Sequence, residues 1–150
     1  MIYREIKLVF KRRRLPCPKI DGPDAVVPIF RSLVDRESLR ESFVSFLLDT
    51  KNSLIGVEVQ AVGGQGSVEI SPTEIFVAAC KMAATGIVIA HNHPSGDPSP
   101  SAADDALTTR LGEASKLLGI SFVDHLILGD QRYWSYAGRR TSRTSRLESS

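Results

Sequence analysis

A chain of 150 residues, 42% hydrophobic and 24% charged, has material for one sizeable core and is not a disordered or low-complexity polymer. No apolar run approaches a membrane span, and the N-terminus lacks a secretory signal's continuous apolar segment and cleavage site. A cytoplasmic protein with no membrane contact is therefore expected. The formal charge of +2 conceals an asymmetry. Residues 1–20 hold seven basic side chains against Glu5 alone (+6), and residues 139–150 hold four arginines against Glu148 (+3). Residues 21–138 carry eight basic and 15 acidic side chains (−7), so the body is acidic and the ends are basic.

In chain order, residues 1–10 alternate loosely (Ile2, Ile6, Val9) as an edge strand would, within a basic arm over residues 1–23. Asp24 to Arg36 has apolar residues at helical spacing, provided Pro28 falls in the first turn. The β-rich run opened by Glu41 and ending at Asp49, and Leu54 to Val62, read as the strands of a hairpin turning at Asp49–Ser53. Gly63, Gly64 and Gly66 mark a loop. Ser71-Pro-Thr-Glu74 is a capping box with Pro at the first helical position, and Gly86 is expected to end that helix. Ile87 to Ala90 is a buried strand, Ser101 to Leu118 a helix stopped by Gly119, and Ile120 to Leu128 another strand. Trp134 to Ala137 reads as a last short strand, and residues 139–150 as a disordered basic tail. Helices and strands intermix, so the class is α/β with a mixed sheet, one domain over residues 24–138. Cys17 and Cys80 form no CxxC pair; Cys80 is expected to be a buried thiol in a reducing compartment.

The chemistry concentrates in residues 91–104. His91 and His93 follow the apolar strand two residues apart, so both imidazoles leave one face of its end. A turn rich in Pro and Gly follows, and the helix beginning at Ser101 can return the carboxylate of Asp104. Two His and one Asp leave the fourth tetrahedral position open, the pattern of a catalytic rather than a structural zinc site. Each residue also has a plainer role. Ser101-x-x-Asp104 is a capping box in its own right, and a carboxylate with two oxygens has room for both tasks. His125 reads as a supporting residue rather than a ligand, Asn92 as a loop anchor, and Asp97 and Asp105 as turn and helix-surface residues.

The set His91, His93, Ser101 and Asp104 matches the His-x-His, seven residues, Ser, two residues, Asp signature, and the chain thereby resembles the JAB/MPN (JAMM) metalloproteases. The finer text His-Asn-His-Pro-Ser-Gly-Asp-Pro-x-Pro-Ser, with Asp124-His125 further on, is similar to the RadC-like bacterial branch. The resemblance implies a three-layer JAB/MPN fold: a curved mixed sheet with helices on both faces, cytidine-deaminase-like in architecture. It also implies Zn2+ as cofactor and hydrolysis of a peptide or isopeptide amide by metal-bound water. A glutamate at the start of an upstream strand would be the general base. Glu41 matches that position, with Glu58 as its rival and Glu37, Glu69 and Glu74 behind. Ser101 would then hydrogen-bond the oxyanion or the water. A helix-hairpin-helix DNA-binding module precedes this domain in full-length relatives and has no counterpart in these 150 residues.

Other readings are weighed on the same residues. A nucleobase deaminase needs His-x-Glu and Pro-Cys-x-x-Cys, and neither is present. A nuclease clusters carboxylates for two metals. A non-catalytic scaffold or DNA-associated protein is the main alternative, with weak nucleic-acid contact through the basic ends. Partners are otherwise a peptide or protein substrate; Gly63 to Gly66 and Gly96 to Pro100 are candidate clamps for an extended chain.

Overall fold

Strand β1 (Ser42–Leu48) is buried along its whole length, and its alternation divides the molecule into layers. Val44, Phe46 and Leu48 pack with Val26, Val27 and Phe30 of helix α1 (Pro23–Leu33). Phe43 and Leu47 pack on the other face with Ile75, Phe76 and Ala79 of α2 (Pro72–Lys81) and Leu107 and Leu111 of α3 (Ala102–Leu118). The computed structural model describes residues 18–34, 40–61 and 70–143. The remaining strands are β2 (Leu54–Ala61), β3 (Gly86–Asn92), β4 (Ser121–Leu128), β5 (Arg132–Ser135) and β6 (Arg140–Arg143). They form one sheet in the order β2-β1-β3-β4-β5-β6. Among the described residues only β3 and β4 pair in parallel, joined by α3 as crossover. The expected α/β architecture, a mixed sheet with helices on both faces, is what the chain adopts.

Two local features aim side chains at one face. The carboxylate of Asp49 accepts from the N–H groups of Lys51 and Ser53, 2.8 Å each, and closes the β1–β2 turn. Between β3 and β4 the register slips, from Ile87 opposite Phe122 to Val88 opposite Asp124. The extra residue, Val123, is a bulge that inverts the alternation. Phe122 and His125, three apart, therefore share the α3 side of the sheet, while Leu126 and Leu128 join the α1 core.

Several expectations are corrected. Helix α1 starts at Pro23, so Pro28 lies inside it rather than in its first turn. Helix α2 ends at Lys81, where Ala83 takes a left-handed conformation (φ 51°), and Gly86 instead opens β3. The hydroxyl of Ser71 accepts from Thr73 N–H rather than from Glu74. On α3 the buried stripe drifts, with Ser115 buried and Leu118 47% exposed. Cys80 is exposed, because α2 turns Val77, Cys80 and Lys81 outward while Ile75, Phe76 and Ala79 face the core. The strand expected at Trp134 to Ala137 is β5, two residues earlier at Arg132–Ser135, and residues expected to begin a disordered tail form β6, hydrogen-bonded to β5. Backbone pairing needs no apolar side chains, so composition gave no sign of it. The strand read over residues 1–10, the glycine loop at 63–66, Glu37, Glu69, Cys17 and residues 144–150 lie outside the described residues.

Candidate metal centre

Because β3 pairs antiparallel with β1, His91 lies opposite Phe43, and the two rings stack at 4.4 Å with planes 10° apart. His91 is fully buried. His93 follows the strand, its backbone N–H donating to Leu128 O (2.9 Å). Its ring Nδ1 lies 2.9 Å from Asp97 O. A carbonyl only accepts, so Nδ1 carries a proton and a neutral His93 presents a bare Nε2. Ser101 is the N-cap of α3. Its hydroxyl accepts from Asp104 N–H (3.1 Å), while its hydroxyl and backbone N–H both donate to Asp104 Oδ2 (2.7 Å each). This reciprocal box fixes the carboxylate at the first turn of the helix.

The three groups converge. His91 Nε2 lies 3.1 Å from His93 Nε2 and 3.1 Å from Asp104 Oδ1, and His93 Nε2 lies 3.3 Å from Asp104 Oδ2. Donors about 2.0–2.1 Å from one tetrahedral zinc stand about 3.3 Å apart, so the spacing fits a single ion. All three ligand atoms lie within 4.8 Å of one another. Capping and ligation share the carboxylate: Oδ2 receives Ser101, and Oδ1 faces His91.

Electrostatics favour a cation in this position. Burial depresses the His91 pKa, against the hydrogen bond and charge of Asp104. The Asp104 hydrogen bond raises that of His93, outweighing its burial. Burial opposes the charge of Asp104, yet the two imidazoles and the Ser101 N–H hold its pKa far below the carboxylate range. A proton is drawn into the triad, and a metal ion would compete for the same place.

Glu41 directly precedes β1 and is exposed. It has the same strand parity as Phe43, which pairs with His91. Its negative charge raises the pKa of both histidines. Glu58 sits on β2, opposite Ser45. Burial raises its pKa, and its charged neighbours are Lys81 and Glu74 of α2. Ser101, expected at the oxyanion, here spends its hydroxyl proton on Asp104. Asp97 is a turn residue whose side chain holds Ser99, and Asp105 accepts from the Tyr136 hydroxyl (2.7 Å).

Asn92 and His125, expected as a loop anchor and a supporting residue, have specific partners here, and Thr108 and Phe43 were not anticipated. Asn92 Oδ1 accepts from Ser42 N–H (2.8 Å) and its Nδ2 donates to Arg40 O (3.2 Å), gripping the backbone on both sides of Glu41. His91 Nδ1 lies 2.9 Å from His125 Nε2, and His125 Nδ1 lies 2.7 Å from Thr108 Oγ1. Thr108 stands four residues after Asp104, one helical turn on, which is the only signal the sequence offered for it. Phe43 likewise stands two residues from Glu41, on the same face.

Comparison with known proteins agrees with this geometry. Residues 20–141 match the family described as the RadC-like JAB domain. A "UPF0758 protein" of Methanosarcina mazei is 41% identical over 120 residues, covering 80% of this chain and 52% of that protein. The proteins of the same name from Methanosarcina acetivorans and Aquifex aeolicus are 44% identical over 120 residues and 45% over 108. These cover 80% and 71% of this chain, and 52% and 47% of the respective relatives. The chain thus spans about half the length of the curated relatives it matches. Among the described residues no helix is long and apolar enough to cross a membrane.

Proposed function

The chain belongs to the RadC-like JAB domain family, and from that premise we propose that it is a zinc-dependent hydrolase of peptide or isopeptide amides. The observation that carries the reading is the meeting of two imidazole nitrogens and a carboxylate at 3.1–3.3 Å. His91, His93 and Asp104 would hold Zn2+, with the fourth position left to solvent or substrate. Zinc bound there supplies Lewis acidity, polarising a carbonyl and acidifying water.

The chain's own residues supply the rest. Glu41, on the histidine side of β1 and braced by Asn92, takes the proton of the attacking water and passes it to the leaving amine. Its exposure suits that exchange: a carboxylate at the open end of β1 reaches both solvent and a substrate laid over His93. Ser101 orients Asp104 through its N–H and hydroxyl; release of that hydroxyl toward a developing oxyanion is the second role assigned to it. The buried Phe43–His91 stack keeps water away from one side of the site. The substrate is a peptide or protein chain.

The test is hydrolysis of a peptide and isopeptide library by the zinc-loaded protein, with Glu41→Gln alongside. Loss of a general base should lower kcat by about 10²–10⁴-fold, with zinc retained. Equal rates in the two proteins would remove Glu41 from the role and bring Glu58 forward. Zinc bound with no turnover of any substrate would assign the domain to a non-catalytic or DNA-associated scaffold.

A further inference from the structure

His125 and Thr108 have no place in the hydrolytic scheme, yet they are joined to the metal triad by short hydrogen bonds. The direction of each bond follows from its far end. Thr108 Oγ1 lies 2.7 Å from Asp104 O, the carbonyl one turn back along its own helix. That carbonyl cannot donate, and two acceptors would not sit at 2.7 Å, so the hydroxyl proton points to Asp104 O. Thr108 Oγ1 must then accept from His125 Nδ1–H (2.7 Å). A neutral imidazole has one donor and one acceptor, so His125 Nε2 accepts from His91 Nδ1–H (2.9 Å). His91 Nε2 is left bare, facing His93 Nε2 and Asp104.

We propose that Thr108 and His125 form a one-way hydrogen-bond chain that fixes His91 in the tautomer able to ligate a metal, before any ion arrives. The chain starts at the ring of one ligand residue and ends on the backbone of another, so it ties β3, β4 and the first turn of α3 into one unit. Aromatic rings clamp both imidazoles: Phe43 stacks on His91 at 4.4 Å and Tyr136 on His125 at 5.1 Å, with planes about parallel (10° and 11°). His125 is fully buried, and each of its ring nitrogens meets one partner, Thr108 Oγ1 on one side and His91 Nδ1 on the other, which uses one donor and one acceptor. The Val123 bulge is what turns His125 toward His91. Thr108 and His125 are positioning residues; neither touches the metal or the substrate in this arrangement.

The role rests on the metal-site reading, but its test does not. The sequence contains three histidines, so long-range ¹⁵N NMR of the metal-free protein reads every imidazole tautomer. Wild type and Thr108→Ser should show Nδ1–H on both His91 and His125. Thr108→Val keeps the shape and removes the acceptor. The two protons should then shift together, His125 to Nε2–H donating to His91 Nδ1, and His91 to Nε2–H pointing at Asp104. No proton is gained or lost, but the ligand atom is blocked. Zinc affinity, from chelator competition, should fall about 10–100-fold in Thr108→Val and recover in Thr108→Ser, the range of lost outer-shell partners. Nδ1–H retained on both rings in Thr108→Val, or Nε2–H on His91 in wild type, overturns the proposal. A wild type with the stated tautomers and no affinity for zinc would uphold the chain and refute the zinc reading.

Discussion

Glycine at 129 should be irreplaceable while glycine at 112 should be improvable, and the contrast is a sharp check on how the site is built. A Cβ on Gly129 would collide with the carbonyl of Gly96 and come within 2.9 Å of Pro98 Cδ, 0.5 Å inside the 3.4 Å where ordinary contact begins. Neither neighbour is a flexible side-chain end, so backbone must move. Overpacking of this kind costs about 1–3 kcal/mol. The Asp130 N–H bond to Gly96 O (3.2 Å) would be lost with it, adding about 1 kcal/mol. Gly129→Ala should therefore be destabilised by about 2–4 kcal/mol in urea unfolding. The strain also reaches the metal triad, because Gly96 adjoins Asp97, whose carbonyl holds His93. Zinc affinity should weaken by about 10-fold. Gly112, inside α3, has open space where a Cβ would go, so Gly112→Ala should stabilise by about 1 kcal/mol. If Gly129→Ala unfolds within about 0.5 kcal/mol of wild type, the range of an ordinary surface substitution, the tight apposition of the 96 and 129 loops is not a constraint.

Removing the Asn92 amide should act on turnover and not on metal. Asn92→Ala frees the backbone at Arg40 and Ser42, and kcat should fall about 10-fold or more at unchanged zinc content, since misplacement of a catalytic group by about 1 Å costs up to about 10²-fold. Asp49 gives a pH signature. The N–H groups of Ser53 and Lys51 lower its pKa, so its stabilising contribution is full above the ordinary carboxylate pKa and lost as pH falls through the lowered one. The stability gap between wild type and Asp49→Asn should therefore close toward acid, and a gap independent of pH would refute the turn assignment.

How far the molecule could be read in advance depended on whether a residue's partners are near in sequence. His91 lies at the end of β3 with His93 just beyond it, and Asp104 lies in the first turn of the next helix, so spacing alone put the triad together. The β1–β2 hairpin and the α3 caps were legible for the same reason, since Asp49, Ser101 and Gly119 act on their immediate neighbours. The bulge at Val123 was not legible. Simple alternation from Phe122 would turn His125 away from His91, and only the β3–β4 register restores it. Thr108 looks like an ordinary helix-surface residue until His125 is seen on its other side. Asn92 was read as a loop anchor, but that the anchored segment is 40–42 is a long-range fact of the β1–β3 pairing. Strand β6 is Arg-Thr-Ser-Arg, which pairs through its backbone and has no apolar period to detect.

The most direct test of the central claim is elemental analysis of untagged protein, wild type beside His93→Ala, after incubation with zinc and removal of the excess. Close to one zinc per chain in wild type and none in His93→Ala is the predicted result. No retained zinc in either protein, or equal retention in both, would contradict the metal centre built from His91, His93 and Asp104.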